Sequence, residues 1–320
     1  MFQLIPQYFF MHSFGQRRKN GPFTKSRKHD HAIPTTPQEW RLSLRFCGAL
    51  LALNSTADHY PCDSFPMPVL YSIRFSPWTL KAKWALAHYD AQHTNKEFLS
   101  GVTDAILRWK TKNFCGRLTV PILIGEGGVV LTESFEIAQW AGLNKGPNCQ
   151  GGDLFDGVDA DVMKQWNQRS DEILNYSRSL ALQGMMNNGD ATKQTLPKLL
   201  QNSLGVMIAK RFLRKLTKKY ENEPGTNSKE NARECLVVLR EALAKSGGEY
   251  ITGSFSYADI VMVIALLAVY PFNGVMPAFP EFQEAFTVPG FSEEFADLVE
   301  WGKKIVAKHH HAGSTTGAKD

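Results

Sequence analysis

Strand-type segments occupy only one stretch of this 320-residue chain, and that confinement limits the fold more than any other feature. Val69-Leu-Tyr-Ser-Ile73 is a short β-type run, and residues 94–99 read as a second. Leu118-Thr-Val-Pro121-Ile-Leu-Ile124 is a third. Its proline cannot donate to a ladder, so it belongs at a strand start or an edge. Glu126-Gly-Gly128 turns the chain and Val129-Val-Leu131 returns it, so 120–131 reads as a β-hairpin. Helical segments are interleaved with these. Ser76-Pro77 opens one, a small polar cap followed by proline at the first helical position. From Trp78 to Tyr89 the residues Leu80, Trp84, Ala87 and His88 recur at helical steps, with Lys81 on another face. Thr103 to Lys112 reads as a second helix, and Glu133-Ser134 starts a third that stops near Gly142. The order is β–α–β–α–β–β–α.

Beyond Gly152 no strand is expected. Asp159 to Met186 is amphipathic, with Val162, Trp166, Ile173, Tyr176 and Leu180 on one stripe. Leu196 to Tyr220 and Lys229 to Lys245 read as further helices, the latter ended by Gly247-Gly248. Ser256-Tyr-Ala-Asp259 opens an almost wholly apolar helix through Ala268, the pattern of a helix buried on all sides. Phe291 to Ala307 is a last amphipathic helix. The expected class is therefore α/β followed by all-α. A small mixed domain spans 67–146, a linker 147–158 and an all-helical domain 159–308, with a frayed tail over 309–320 that includes three histidines given no metal role.

Residues 1–66 differ in composition and read as a disordered leader. The first 60 residues hold eight Lys/Arg against three Asp/Glu, so the whole net charge of +5 sits there. That placement argues against a basic nucleic-acid face on the folded body. The leader ends in an apolar run, Phe46 to Leu53, then Ser55 and Ala57. It is open to four readings: a secretory signal, an organellar presequence, a nuclear address or a mis-assigned start codon. Localisation stays open between cytoplasm and organelle. Five widely spaced cysteines (Cys47, Cys62, Cys115, Cys149, Cys235) without a CxxC read as isolated thiols, not as a disulfide framework or zinc site. No run reaches the ~18 apolar residues of a membrane span.

Three pieces, in order over about 67–307, resemble the glutathione S-transferase family. Ser76-Pro77-Trp78, with Lys81 and Lys83 downstream, is similar to the serine-type classes (theta, phi and especially tau). Val120-Pro121-Ile-Leu followed by Thr132-Glu-Ser134 resembles the family's glutathione-binding segment, and Ser256-x-x-Asp259 its helix-cap box. The resemblance implies a thioredoxin-like domain followed by an all-helical one, a homodimer, and glutathione as co-substrate with no resident cofactor or metal. It implies a cis Pro121, Val120 backbone groups on the ligand's cysteinyl unit, and Glu133-Ser134 on its γ-glutamyl end. The sequence departs from the family where a lysine often precedes the proline by two or three residues. Leu118 and Thr119 stand there, and Arg117 is the nearest cation for the glycine carboxylate.

Conjugation needs the thiolate of glutathione, because the thiol is a poor nucleophile. Lowering a thiol pKa by ~2 units takes ~2.7 kcal/mol of anion stabilisation. A hydroxyl hydrogen bond to an anion supplies ~1.5–3 kcal/mol, and a helix N-terminus adds ~0.3–1. Ser76 therefore fits as the catalytic group, although serine at that position also serves simply as a cap. A serine cannot form the mixed disulfides that a cysteine there would allow. Glu133 and Ser134 at a helix start suit an anion, or equally an ordinary helix cap. Met163, Trp166 and Ser170 are candidates for the cleft taking a small hydrophobic electrophile, with plain helix core as the competing reading. Ser256 and Asp259 are assigned to folding. The expected function is glutathione transfer of the detoxification type. The alternative is a non-catalytic, transferase-like binding or adaptor protein.

Overall fold

The computed structural model describes residues 67–98, 103–114, 118–149, 151–196, 200–221, 228–277 and 279–310. The leader, Cys115, Arg117 and residues 311–320 lie outside the described residues, and so do the readings attached to them.

Strands β1 (Val69–Ser72), β2 (Thr94–Glu97), β3 (Ile122–Ile124) and β4 (Val130–Leu131) form one sheet in the order β2-β1-β3-β4. The β1–β2 pair is parallel, with Val69 opposite Thr94. A parallel pair needs a crossover, and helix α1 (Pro77–His88) supplies it. The other pairs are antiparallel, with Tyr71 opposite Ile122 and Leu123 opposite Leu131. Leu70, Tyr71, Ile122 and Leu123 are buried, so the two central strands read as nearly unbroken apolar runs. Helix α2 (Asp104–Thr111) follows β2, and α3 (Ser134–Leu143) follows the hairpin. This is the expected thioredoxin-like arrangement.

The rest is helical. α4 (Ala160–Asn187) starts where the Asp159 carboxylate accepts from the Asp161 and Val162 amides at 2.8 and 3.2 Å. Gly184 lets α4 approach α9 (Pro280–Phe286) closely, since a β-carbon there would lie 2.5 Å from that of Ala285. The helix expected from Leu196 starts later, at Ser203, as α6 (Ser203–Glu221), and a short helix that was not expected, α5 (Gly189–Thr195), precedes it. Side-chain caps set both starts: Asn188 accepts from the Asp190 amide, and Asn202 from the Gly205 amide. α7 (Lys229–Ser246) ends at left-handed Gly247 (φ 93°), as its sequence requires.

Every residue of α8 (Tyr257–Ala265) is buried, and a 3₁₀ turn, Leu266–Ala268, continues it. Asp259 reaches back to the Ser256 amide at 2.8 Å and also takes the Ile251 amide at 2.9 Å, so the expected cap is present. The last expected helix divides into α10 (Phe291–Glu294) and α11 (Ala296–His309), with non-helical Phe295 fully buried between them. The tail expected to fray from residue 309 begins packed. The His309 ring stacks on Phe255 at 3.7 Å, and His310 meets Trp84 edge-on at 4.6 Å. The 147–158 segment is also pinned. The Tyr89 hydroxyl donates to Asp153 and accepts from the Leu154 amide, while the Leu154 carbonyl accepts from the Tyr257 amide.

Candidate functional site

The strand register assembles the candidate residues. β1 runs towards Ile73 and Ser76, β3 begins just after Pro121, and β4 ends just before Thr132. Because β3 is antiparallel to both neighbours, these three chain ends share one edge of the sheet. Ser76, Val120-Pro121 and Glu133-Ser134 are thereby brought to the same end. The Val120–Pro121 peptide is cis. Arg117 cannot be placed, since it lies outside the described residues.

Ser76 precedes α1 in an extended conformation (φ −76°, ψ 121°) and its hydroxyl makes no capping bond. Pro77 stands at the first helical position, where the missing N–H costs the helix nothing. The Ser76 amide donates to the Ile73 carbonyl, and its own carbonyl accepts from Leu80. The backbone is thus fixed while the side-chain oxygen is not spent on the helix. Glu133 occupies the cap position of α3, likewise without a side-chain capping bond, and Ser134 is buried just inside.

Behind this edge lies a polar cluster the sequence did not reveal. Lys81, off the apolar stripe of α1, is completely buried. Its Nζ donates to Asp171 Oδ1 at 2.8 Å and to Asn167 Oδ1 at 3.4 Å. The Trp78 indole N–H donates to the same Asp171 oxygen at 2.8 Å, and the Arg178 guanidinium lies 5.2 Å over the Trp78 ring. Asp171, Asn167 and Arg178 all stand on α4, so the cluster ties the mixed domain to the helical one. Burial pulls the Lys81 ammonium below its ordinary pKa, against the opposing attraction of Asp171 and Glu133. Glu133 therefore feels a buried cation. A lysine three residues after Trp78, on the turn above it, was the one available signal.

The second-substrate candidates do not open onto this edge. Met163, Trp166 and Ser170 are all buried. The Ser170 hydroxyl donates to the Val261 carbonyl at 2.7 Å, binding α4 to α8. Their apolar stripe is helix core, because α8 packs along that face of α4. Cys235 is buried too, with Sγ 3.2 Å from Glu172 Oε2, and burial pushes its thiol up to about 12. It is an inert thiol. Cys149 is likewise unbridged.

Residues 75–142 match the family model described as the glutathione S-transferase N-terminal domain. Over this stretch the mixed domain is similar to a glutathione S-transferase N-terminal domain. That match spans Ser76, Val120-Pro121 and Glu133-Ser134, all of which come from the mixed domain. Among solved structures the chain is similar to glutathione transferase GSTFuA2 from Phanerochaete chrysosporium, at 14% identity and a TM-score of 0.51, over 78% of this chain and 100% of that one. It is also similar to a glutathione S-transferase domain-containing protein from Marinobacter aquaeolei VT8, at 18% identity and TM-score 0.45, over 78% and 100%. A third is a glutathione S-transferase from Methylobacillus flagellatus KT with glutathione bound, at 15% identity and TM-score 0.42, over 75% and 94%. No curated protein matches the sequence. The two-part glutathione S-transferase fold accounts for both the sheet order and the helical half. Among the described residues no helix is long and apolar enough to cross a membrane.

Proposed function

We propose that the chain is a glutathione transferase in which Ser76 stabilises the thiolate of bound glutathione for attack on a small hydrophobic electrophile. The observation that carries this reading is the Ser76 hydroxyl. It sits at the start of α1, inside the matched domain, and makes no bond to the helix it precedes. A hydroxyl donating to a sulfur anion there contributes ~1.5–3 kcal/mol, and the helix terminus adds to it. Val120 offers its backbone N–H and C=O to the cysteinyl unit. The Glu133 carboxylate takes the γ-glutamyl amine, and Ser134, at the α3 N-terminus, takes its carboxylate. Glutathione is a co-substrate in this scheme, and the protein works as a homodimer without a resident cofactor.

A second reading, a binding or adaptor protein without turnover, draws support from Leu118 and Thr119, which leave the glycine carboxylate without a lysine. One titration separates the two. The protein is titrated with glutathione while the ultraviolet thiolate band is followed at neutral pH. Saturable binding with a strong thiolate signal supports the transferase. Binding without the signal supports the carrier, and no binding removes both.

A further inference from the structure

Beyond residue 60 the charges of the chain balance, yet they are not evenly spread. Residues 189–221, which contain α5 and α6, hold eight Lys/Arg against two Asp/Glu. This one segment is basic on a body that is otherwise net acidic. α6 turns Ala209, Leu213 and Thr217 inward. Its outer side carries Leu204, Met207, Arg211 and Arg214, whose steps of three and four residues set them in one line along the helix. All four are exposed, Leu204 at 62% and Met207 at 60%. The line thus begins apolar and turns cationic.

Lys193 of α5 and Lys210 join Arg211 and Arg214 around a cleft of about 900 Å³ lined from the two helices, with Asp190 as the acid at its edge. Elsewhere on the helical domain surface cations are matched, as in Arg233 with Glu294, Arg240 with Asp297 and Lys308 with Glu249. Among the described residues the four cations of the cleft make no ion pair. Like charges at the 211/214 and 210/214 spacings also cost the helix stability. Unmatched cations gathered this way suit an anion from outside the chain. The partner must also offer an apolar layer next to its charge, because Leu204 and Met207 stand in the same line. An anionic membrane surface offers both, whereas a nucleic-acid backbone offers the charge alone. We propose that the outer face of α6, with Lys193 of α5, docks on an anionic membrane surface. Leu204 and Met207 enter the headgroup layer, and Lys193, Lys210, Arg211 and Arg214 meet the lipid phosphates and carboxylates. Two inserted side chains and a few cations give reversible, salt-sensitive attachment. The surface shares no element with the Ser76 edge, so it stands apart from the glutathione reading.

The test is co-sedimentation of the full chain with lipid vesicles at about 0.1 M salt. Vesicles of phosphatidylcholine alone are compared with vesicles holding about 30% phosphatidylserine. The parent is expected to bind the anionic vesicles and not the neutral ones. Arg211→Gln/Arg214→Gln lowers that partition about 25-fold, and Lys193→Gln, on the other helix, about fivefold. Leu204→Ser/Met207→Ser lowers it about tenfold, a change that a purely electrostatic partner would not register. These positions on α5 and α6 are exposed, so each variant is expected to melt with the parent. An unchanged partition for Arg211→Gln/Arg214→Gln, with the loss falling on Arg17→Gln/Arg18→Gln, overturns the proposal in favour of the leader. Binding to duplex DNA but to neither vesicle overturns it in favour of a nucleic acid. Equal binding to both vesicles, or none to either, overturns it outright.

Discussion

Lys81 Nζ and Asp171 Oδ1 meet at 2.8 Å, with the lysine side chain wholly buried and the aspartate nearly so. They join α1 to α4, and Trp78 and Asn167 complete the shell around the carboxylate. A buried pair of this kind is costly to break, because the remaining charge is left without its partner. Lys81→Met is expected to lower unfolding stability by ~3 kcal/mol or more, read from urea midpoints. The double variant Lys81→Met/Asp171→Leu removes both charges and is expected to recover over half of that loss. A double variant as unstable as the sum of its singles would show that the pair does not act as a unit.

Ser76 separates a structural role from a chemical one. An ordinary cap serine replaced by alanine costs ~0.5–2 kcal/mol. The Ser76 side chain makes no capping bond, so Ser76→Ala is expected to stay within ~0.5 kcal/mol of the parent in stability. Its conjugation rate should fall ~10–100-fold, the equivalent of one hydrogen bond to an anion. A large stability loss with an unchanged rate would return Ser76 to the role of cap.

Ser170 gives the converse result. Its hydroxyl is spent on the Val261 carbonyl between α4 and α8. Ser170→Ala is expected to cost ~1 kcal/mol and to leave KM for any electrophile unchanged. Steady-state kinetics against a thermal melt of the same preparation checks both halves. An altered KM would place Ser170 at the cleft after all.

Asp259 gives stability a pH dependence. Burial raises its carboxyl from 3.8 to about 6, even though the Ile251 and Ser256 amides pull the other way. The folded protein thus holds this proton more tightly than the unfolded chain does. Its contribution is full below the unfolded value and is lost as pH rises through about 6. Asp259→Asn is expected to flatten the stability–pH curve between these values by up to ~1.4 kcal/mol per pH unit. Urea midpoints at half-unit pH steps report it, and a curve of unchanged slope would remove Asp259 as its source.

The linear sequence determined the features whose causes are local. Ser76-Pro77 starts a helix because proline sets its own φ and lacks the amide that a first turn cannot use. Asp259 caps α8 from three residues away. The Glu126-Gly-Gly128 segment turns a hairpin because its partner strands are adjacent in the chain. The Ser76, Pro121, Glu133 and Ser134 set was legible for the same reason, since each falls at an element boundary that short-range signals mark. α9 was missed although Pro280 marks its start, because seven residues show too little periodicity to stand out.

Only the tertiary structure decided which faces were buried and what they met. Lys81 stood off the apolar stripe of α1, yet it is buried against a partner 90 residues on, and no local pattern records that α4 covers this side of α1. Met163, Trp166 and Ser170 fit cleft and core equally well until α8 took that face. Tyr257 read as one more apolar position in a buried helix, and its ring contacts with Phe135 and Phe155 became visible only once α3 and α8 were packed together. Capping and turn formation depend on atoms a few residues apart. Burial and charge pairing depend on elements that meet only after the chain has folded.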